Sequence, residues 1–195
     1  VAEIQKGSIR ESSYELVTVA RQLAESGGHD VTGLVIGSGV GDLAIEFASK
    51  GAGKTLLVDD AAAENYNVDI WSKAIKAAAE ASGADLILIA NTPTGWDVAP
   101  RIAADAFEPL VHDKTQPVID LACGTGLVGR ELHRRGYTCI DGLDLSQGML
   151  TKAEGLGIYR ELMQEDLTRR TSIQNGAYPS LICVGSFASG HLGPE

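Results

Sequence analysis

Apolar runs of strand length recur along this chain, and amphipathic stretches of helix length lie between most of them. The runs read as strands near Val31–Gly37, Thr55–Asp59, Asp85–Ala90, Pro117–Ala122, Thr138–Leu143, Ile158–Met163 and Leu181–Gly185, after a short one at the start. Helical spacing marks Glu11–Ser26, Gly41–Lys50, Asp69–Ser82, Asp97–Phe107 and Leu127–Arg135, and a further helix starts near Ser146. Strands such as "GLVIG" and "LILIA" are apolar at every position. A strand wetted on one face would alternate, so these are expected to be covered on both. Alternating strands and helices close through right-handed crossovers, which makes the sheet mostly parallel. The expected fold class is therefore α/β, a doubly wound, mostly parallel sheet in a three-layer sandwich.

Three glycine-rich turns punctuate this pattern, and each has the look of a nucleotide site. "GAGKT", Gly51 to Thr55, ends like a phosphate loop, but the required first glycine would fall at position 48, which is Ala48. Its context is also reversed, because it follows a helix and opens a strand. It reads as a helix stop and a turn. "GSGVGD", Gly37 to Asp42, follows a strand and precedes a helix, yet the third fingerprint glycine is replaced by Asp42. A carboxylate at a helix start repels the pyrophosphate that the amides and dipole would otherwise attract. Here the acid is expected to support the helix start.

The third turn, in "VIDLACGTGLVGREL", has all three glycines, Gly124, Gly126 and Gly129. By spacing alone it fits a dinucleotide. Asp120, near the end of the strand, argues otherwise, since an acid there suits a ligand with a positive group. Asp144 ends the next strand and is placed to accept hydrogen bonds from two ribose hydroxyls. Asp166 follows the third strand and could accept from an adenine amino group, with Met149 packing on the ring. Ala122, Cys123, Leu145, Leu167 and Gly185 adjoin these positions and complete the candidate set. Each residue also has a plainer role: Asp144 as a helix cap, Asp166 as a solvated loop acid, Met149 as core. Together they point to S-adenosylmethionine or S-adenosylhomocysteine on a Rossmann-like or flavodoxin-like sheet.

The net charge of −10 argues against a nucleic-acid backbone as partner. No apolar run approaches the roughly 20 residues of a membrane span, and no signal peptide is apparent, so a cytoplasmic location is expected. The cysteines, Cys123, Cys139 and Cys183, are odd in number, fit no CxxC pair and read as buried hydrophobes. The scattered histidines give no metal-ligand spacing.

The residues from Glu108 onward resemble the class I S-adenosylmethionine-dependent methyltransferases, through "VIDLACGTGLVGRELHRRGY", "IDGLDLSQGMLTKA" and "YPSLICVGSFASGHLGPE". The resemblance implies that Asp120, Gly124, Gly126, Asp144, Met149 and Asp166 surround the cofactor, flanked by Gly185 and Ser186. Members of that family continue for three more strands beyond the fourth. The first half is similar instead to the N-terminal domain of the electron transfer flavoprotein alpha subunit, most tellingly in "TPTGWDVAPRIAA", Thr92 to Ala104. In that family the flavin is held mainly by a later domain, so the resemblance implies no FAD on this chain.

Two unlike family halves, residues 1–107 and 108–195, are the expectation for an engineered chimera spliced near Ala106–Pro117, with its strands in one composite sheet. Open sheet edges would favour a homodimer. Tyr178, His191 and Glu195 lie near the fourth strand, but nothing marks one as a catalytic base, so the catalytic residues stay unassigned and methyl transfer stays open. The alternative is a ligand-free structural protein or an interaction module of flavoprotein type.

Overall fold

The computed structural model describes residues 1–184, which fall into two compact units, Val1–Val98 and a second that begins at Ala99. The first unit opens with a short antiparallel hairpin, β1 (Ile4–Gln5) and β2 (Ser8–Ile9), and then helix α1 (Glu11–Gly27). Gly28 adopts a left-handed conformation at φ 68° and returns its N–H to Ala24, which ends α1. Strand β3 (Thr32–Gly37), helix α2 (Gly41–Phe47) and strand β4 (Lys54–Asp59) form a βαβ unit with β3 and β4 parallel. Helix α3 (Val68–Ser82) follows, capped by Asn67, whose Oδ1 accepts the N–H groups of Asp69 and Ile70 at 2.9 and 3.2 Å. Val17, Val35, Ala44, Phe47 and Ala52 form the core of this unit.

Helix α4 (Pro93–Phe107) begins four residues earlier than its periodicity suggested. The reason is local. Thr92 Oγ1 accepts the Gly95 N–H at 3.1 Å and so caps the first turn. A side chain at Gly95 would put its Cβ 2.0 Å from the Ala90 carbonyl oxygen, so the "TPTG" stretch leaves room for no other residue there.

In the second unit, β5 (Val118–Leu121), α5 (Leu127–Arg134), β6 (Ile140–Asp144), α6 (Gln147–Glu154), β7 (Glu161–Gln164) and β8 (Ser180–Cys183) build a parallel sheet of order β7-β6-β5-β8. Ala104, Phe107, Val118, Val128, Leu132, Tyr137, Ile140 and Ile182 are its core. Arg135 fastens the end of α5, holding Glu131 at 2.9 Å and Asp105 at 2.6 Å. Asp141 is fully buried and is satisfied by Arg160 at 2.5 and 3.0 Å and by the Tyr178 hydroxyl at 2.8 Å.

Two expectations need correction. Asp85–Ala90 lays down no ladder, and Leu86 is 62% exposed. The N-terminal residues reach both this segment and β3, with Val1 donating to Leu88 and Ala2 to Leu34, so the segment gains one backbone bond there instead of a paired strand. The composite sheet is likewise not formed. The described strands make three separate sheets, β1-β2, β3-β4 and β7-β6-β5-β8. The α/β class and the parallel pairing stand.

Candidate functional site

All strands of the four-stranded sheet run parallel, so the segments after β5, β6 and β7 gather at one edge. The chain steps outward from β5 to β6 to β7, and β8 then returns to the other side of β5. Such a reversal of strand order opens a crevice at the carboxyl ends of the strands, where doubly wound sheets take ligands. The turn Ala122–Gly126 stands at that point.

The turn is left-handed at alternate residues, with φ of 53° at Ala122, 55° at Gly124 and 84° at Gly126. Glycine adopts this freely. Ala122 does so at a cost of roughly 1–2 kcal/mol, so its surroundings must hold it there. Two carboxylates supply the hold. Asp144 Oδ2 accepts the Gly124 N–H at 2.8 Å, and its Oδ1 accepts the Ser146 N–H at 2.8 Å. Asp120 Oδ2 accepts the Gly129 N–H at 3.2 Å, in the first turn of α5, whose N-cap residue Gly126 has no side chain to offer. An acid from the preceding strand thus satisfies an orphan amide at a helix start.

The candidate residues fare differently. Asp144 is half-buried, and each of its oxygens keeps a second lone pair for a ribose hydroxyl. Leu145 and Met149 stand beside it, 62% and 40% exposed, with apolar surface free to meet a base. Cys123 is buried, and burial with the nearby Asp120 and Asp144 pushes its thiol up to about 12. Cys139 and Cys183 are only partly buried, against the expectation that all three would be core. Asp120 is only 1% exposed and faces inward beneath the turn. Asp166 lies at the same strand edge, but its Oδ1 is occupied by the Thr168 N–H and hydroxyl at 2.9 and 2.7 Å, and these bonds hold its carboxyl below the usual range. Leu167 is half-buried next to it. Gly185, with Ser186, His191 and Glu195, lies outside the described residues.

Tyr159, just before β7, was not singled out by its sequence context. Its hydroxyl donates to Asp120 Oδ2 at 2.8 Å. Its ring fills a slot that exists because Gly126, Gly129 and Gly142 lack side chains, for a Cβ at these positions would lie 3.0, 2.4 and 3.0 Å from it. The third fingerprint glycine therefore makes room for a tyrosine. A glycine column of this kind is a signal for a large neighbour, but it does not say which one.

The first unit contains the same lock. Gly39, at φ 67°, donates to Asp59 Oδ1 at 2.6 Å, twenty residues along, as Gly124 does to Asp144. The residue in the place of Asp120 is Val35, fully buried. Among the described residues no helix is long and apolar enough to cross a membrane.

These two units, each a parallel α/β arrangement with an acid-locked glycine turn, define a protein of the α/β class. Residues 1–131 match the model of the electron transfer flavoprotein domain, and residues 118–193 match that of a methyltransferase domain. The alpha subunit of electron transfer flavoprotein from Megasphaera elsdenii is 34% identical over 120 residues, 62% of this chain and 36% of that one. Human methyltransferase-like protein 27 is 33% identical over 101 residues, 48% of this chain and 40% of its own length. A solved S-adenosylmethionine dependent methyltransferase from Mesorhizobium loti is 26% identical, with a TM-score of 0.37 over 46% of this chain and 41% of that one. The chain belongs to the electron transfer flavoprotein domain family, and its second half is similar to a methyltransferase domain. It spans only 36% and 40% of the length of the two curated relatives.

Proposed function

We propose that residues 108–195 bind S-adenosylmethionine or S-adenosylhomocysteine at the turn Ala122–Gly126, and that residues 1–107 serve as a fold without a flavin. The observation that carries this reading is the pair of carboxylates at the turn, Asp144 on Gly124 and Asp120 on Gly129. Two acids at one turn repel a pyrophosphate and favour a nucleoside with a cationic sulfonium or ammonium. The cofactor would supply an activated methyl group, and the chain would hold it in place. The half-buried Asp144 would take the ribose hydroxyls, and Leu145 and Met149 would cover the base. In this reading the chain joins two family halves as an engineered chimera. We assign no catalytic base and no methyl acceptor.

A second reading is favoured by the first unit. Asp59 locks Gly39 as Asp144 locks Gly124, and on the reading that residues 1–107 hold no flavin the same lock would serve a ligand-free scaffold. Calorimetric titration with S-adenosylhomocysteine separates the two, using wild type, Asp144→Ala and Asp59→Ala. One saturable site, lost in Asp144→Ala and kept in Asp59→Ala, supports the cofactor reading. No heat at millimolar ligand in the folded wild type sinks it and leaves the scaffold.

A further inference from the structure

Asp120 is a carboxylate with no route to solvent, and both donors that reach it arrive at Oδ2. One is the Gly129 amide in the first turn of α5, and the other is the Tyr159 hydroxyl. Tyr159 has little freedom to leave. Its ring is bounded by the turn at Gly126, by α5 at Gly129 and by the sheet at Gly142, all within contact distance of where a Cβ would stand. The other titratable groups facing this point are Cys123 in the turn and Asp144 at the end of β6. Neither brings a positive charge, so the charge on Asp120 rests on two hydrogen bonds alone.

We infer that Tyr159 is a positioning residue for the glycine turn: its hydroxyl keeps Asp120 ionised beneath the turn, the ionised carboxylate holds the Gly129 amide in the first turn of α5, and ligand affinity at the turn therefore depends on pH through this pair. The inference rests on the nucleoside-site reading above for its ligand, but not for the coupling of Tyr159, Asp120 and Gly129. Burial is the largest influence on Asp120 and raises it to about 7, against the pull of Tyr159 and Gly129 and with a smaller push from Asp144. The ionised form is the better acceptor, so the turn is held best above that pH and loosens below it. A phenylalanine at position 159 keeps the ring in its slot and removes only the donor. Asp120 then becomes harder to ionise, and the pH at which the turn loosens moves up.

The test uses the full chain as wild type, Tyr159→Phe and Asp120→Asn, with two readouts between pH 5.5 and 9. The first is the amide chemical shift of Gly129 without ligand. The second is the affinity for S-adenosylhomocysteine. In wild type both should change together near neutral pH, with tighter binding on the alkaline side. In Tyr159→Phe the midpoint should rise by roughly one pH unit, the effect of one lost hydrogen bond to a charged group. In Asp120→Asn the Gly129 shift should be flat. A midpoint unmoved in Tyr159→Phe overturns the inference, because a tyrosine that only fills space would leave it there. If Tyr159→Phe does not fold, a Gly129 titration that persists in Asp120→Asn overturns it equally. Absence of binding in wild type removes the nucleoside-site reading, while the Gly129 titration still decides the coupling.

Discussion

Replacing Gly129 by Ala sets two effects of known size against each other. Gly129 lies inside α5 with ordinary helical backbone, and alanine there should gain about 1 kcal/mol over glycine in helix propensity. The added methyl would stand 2.2 Å from Tyr159 Oη and 2.4 Å from Cζ, distances that no packed structure tolerates. The ring has no easy retreat, since its opposite, Cε2 edge already faces the turn at Gly126 and its hydroxyl is held by Asp120. Overpacking of this kind costs roughly 1–3 kcal/mol. Breaking the bond to Asp120 adds roughly another 1–2 kcal/mol, because the acceptor is buried. The clash should win, leaving a net destabilisation of about 2 kcal/mol. Native-state hydrogen exchange at the β5 and β6 amides reads the stability of this unit by itself. The decisive comparison repeats the substitution in a Tyr159→Ala background, where the slot is empty and Gly129→Ala should stabilise by about 1 kcal/mol. If Gly129→Ala stabilises in both backgrounds, the tyrosine is not seated against α5 and the account of the glycine column is wrong.

Other outcomes follow from the same unit. Asp120 in the folded chain sits at about 7, above its unfolded value of roughly 3.9, so the stability it contributes is complete below about pH 4 and lost as the pH rises to about 7. Urea titrations of Asp120→Asn should therefore show a benefit over wild type that grows across this window and levels off above it; a difference independent of pH would contradict the burial of the carboxyl. Arg160→Ala leaves the fully buried Asp141 with Tyr178 alone and should cost about 2 kcal/mol, less than a fully buried pair because the arginine is half exposed; a loss under 0.5 kcal/mol would mean that Tyr178 and water suffice. Alkylation at pH 8 followed by peptide mapping should find Cys123 the slowest thiol of the three, since it is buried and hard to ionise; labelling of Cys123 first would show that the turn opens readily.

Much of this molecule was legible along the chain, and the reason is that those features are local. The glycine stop after α1 and the Asn67 cap act within a few residues, so α1 and α3 fall close to where their spacing put them. The rejection of "GAGKT" as a phosphate loop was also local: Gly53, at φ 63°, opens straight into β4. The place of Asp144 beside its turn was readable because a strand end and the preceding glycine turn are brought together by any βαβ unit, but its bond to the Gly124 N–H was not among the roles its sequence suggested. What could not be read is decided by partners far apart in sequence. Asp85–Ala90 has the apolar pattern of a strand, yet a strand exists only if a neighbour offers its edge, and none does so along its length. Asp120 looked like a ligand contact, but a strand residue's exposure depends on what fills the space above it, and Tyr159 fills it from thirty-nine residues away. The chain by itself determined the α/β class and the two family resemblances; tertiary structure alone decided that Asp144 locks the Gly124 amide, that the described strands form separate sheets and that Asp120 faces inward, because pairing and burial depend on neighbours that local sequence does not name.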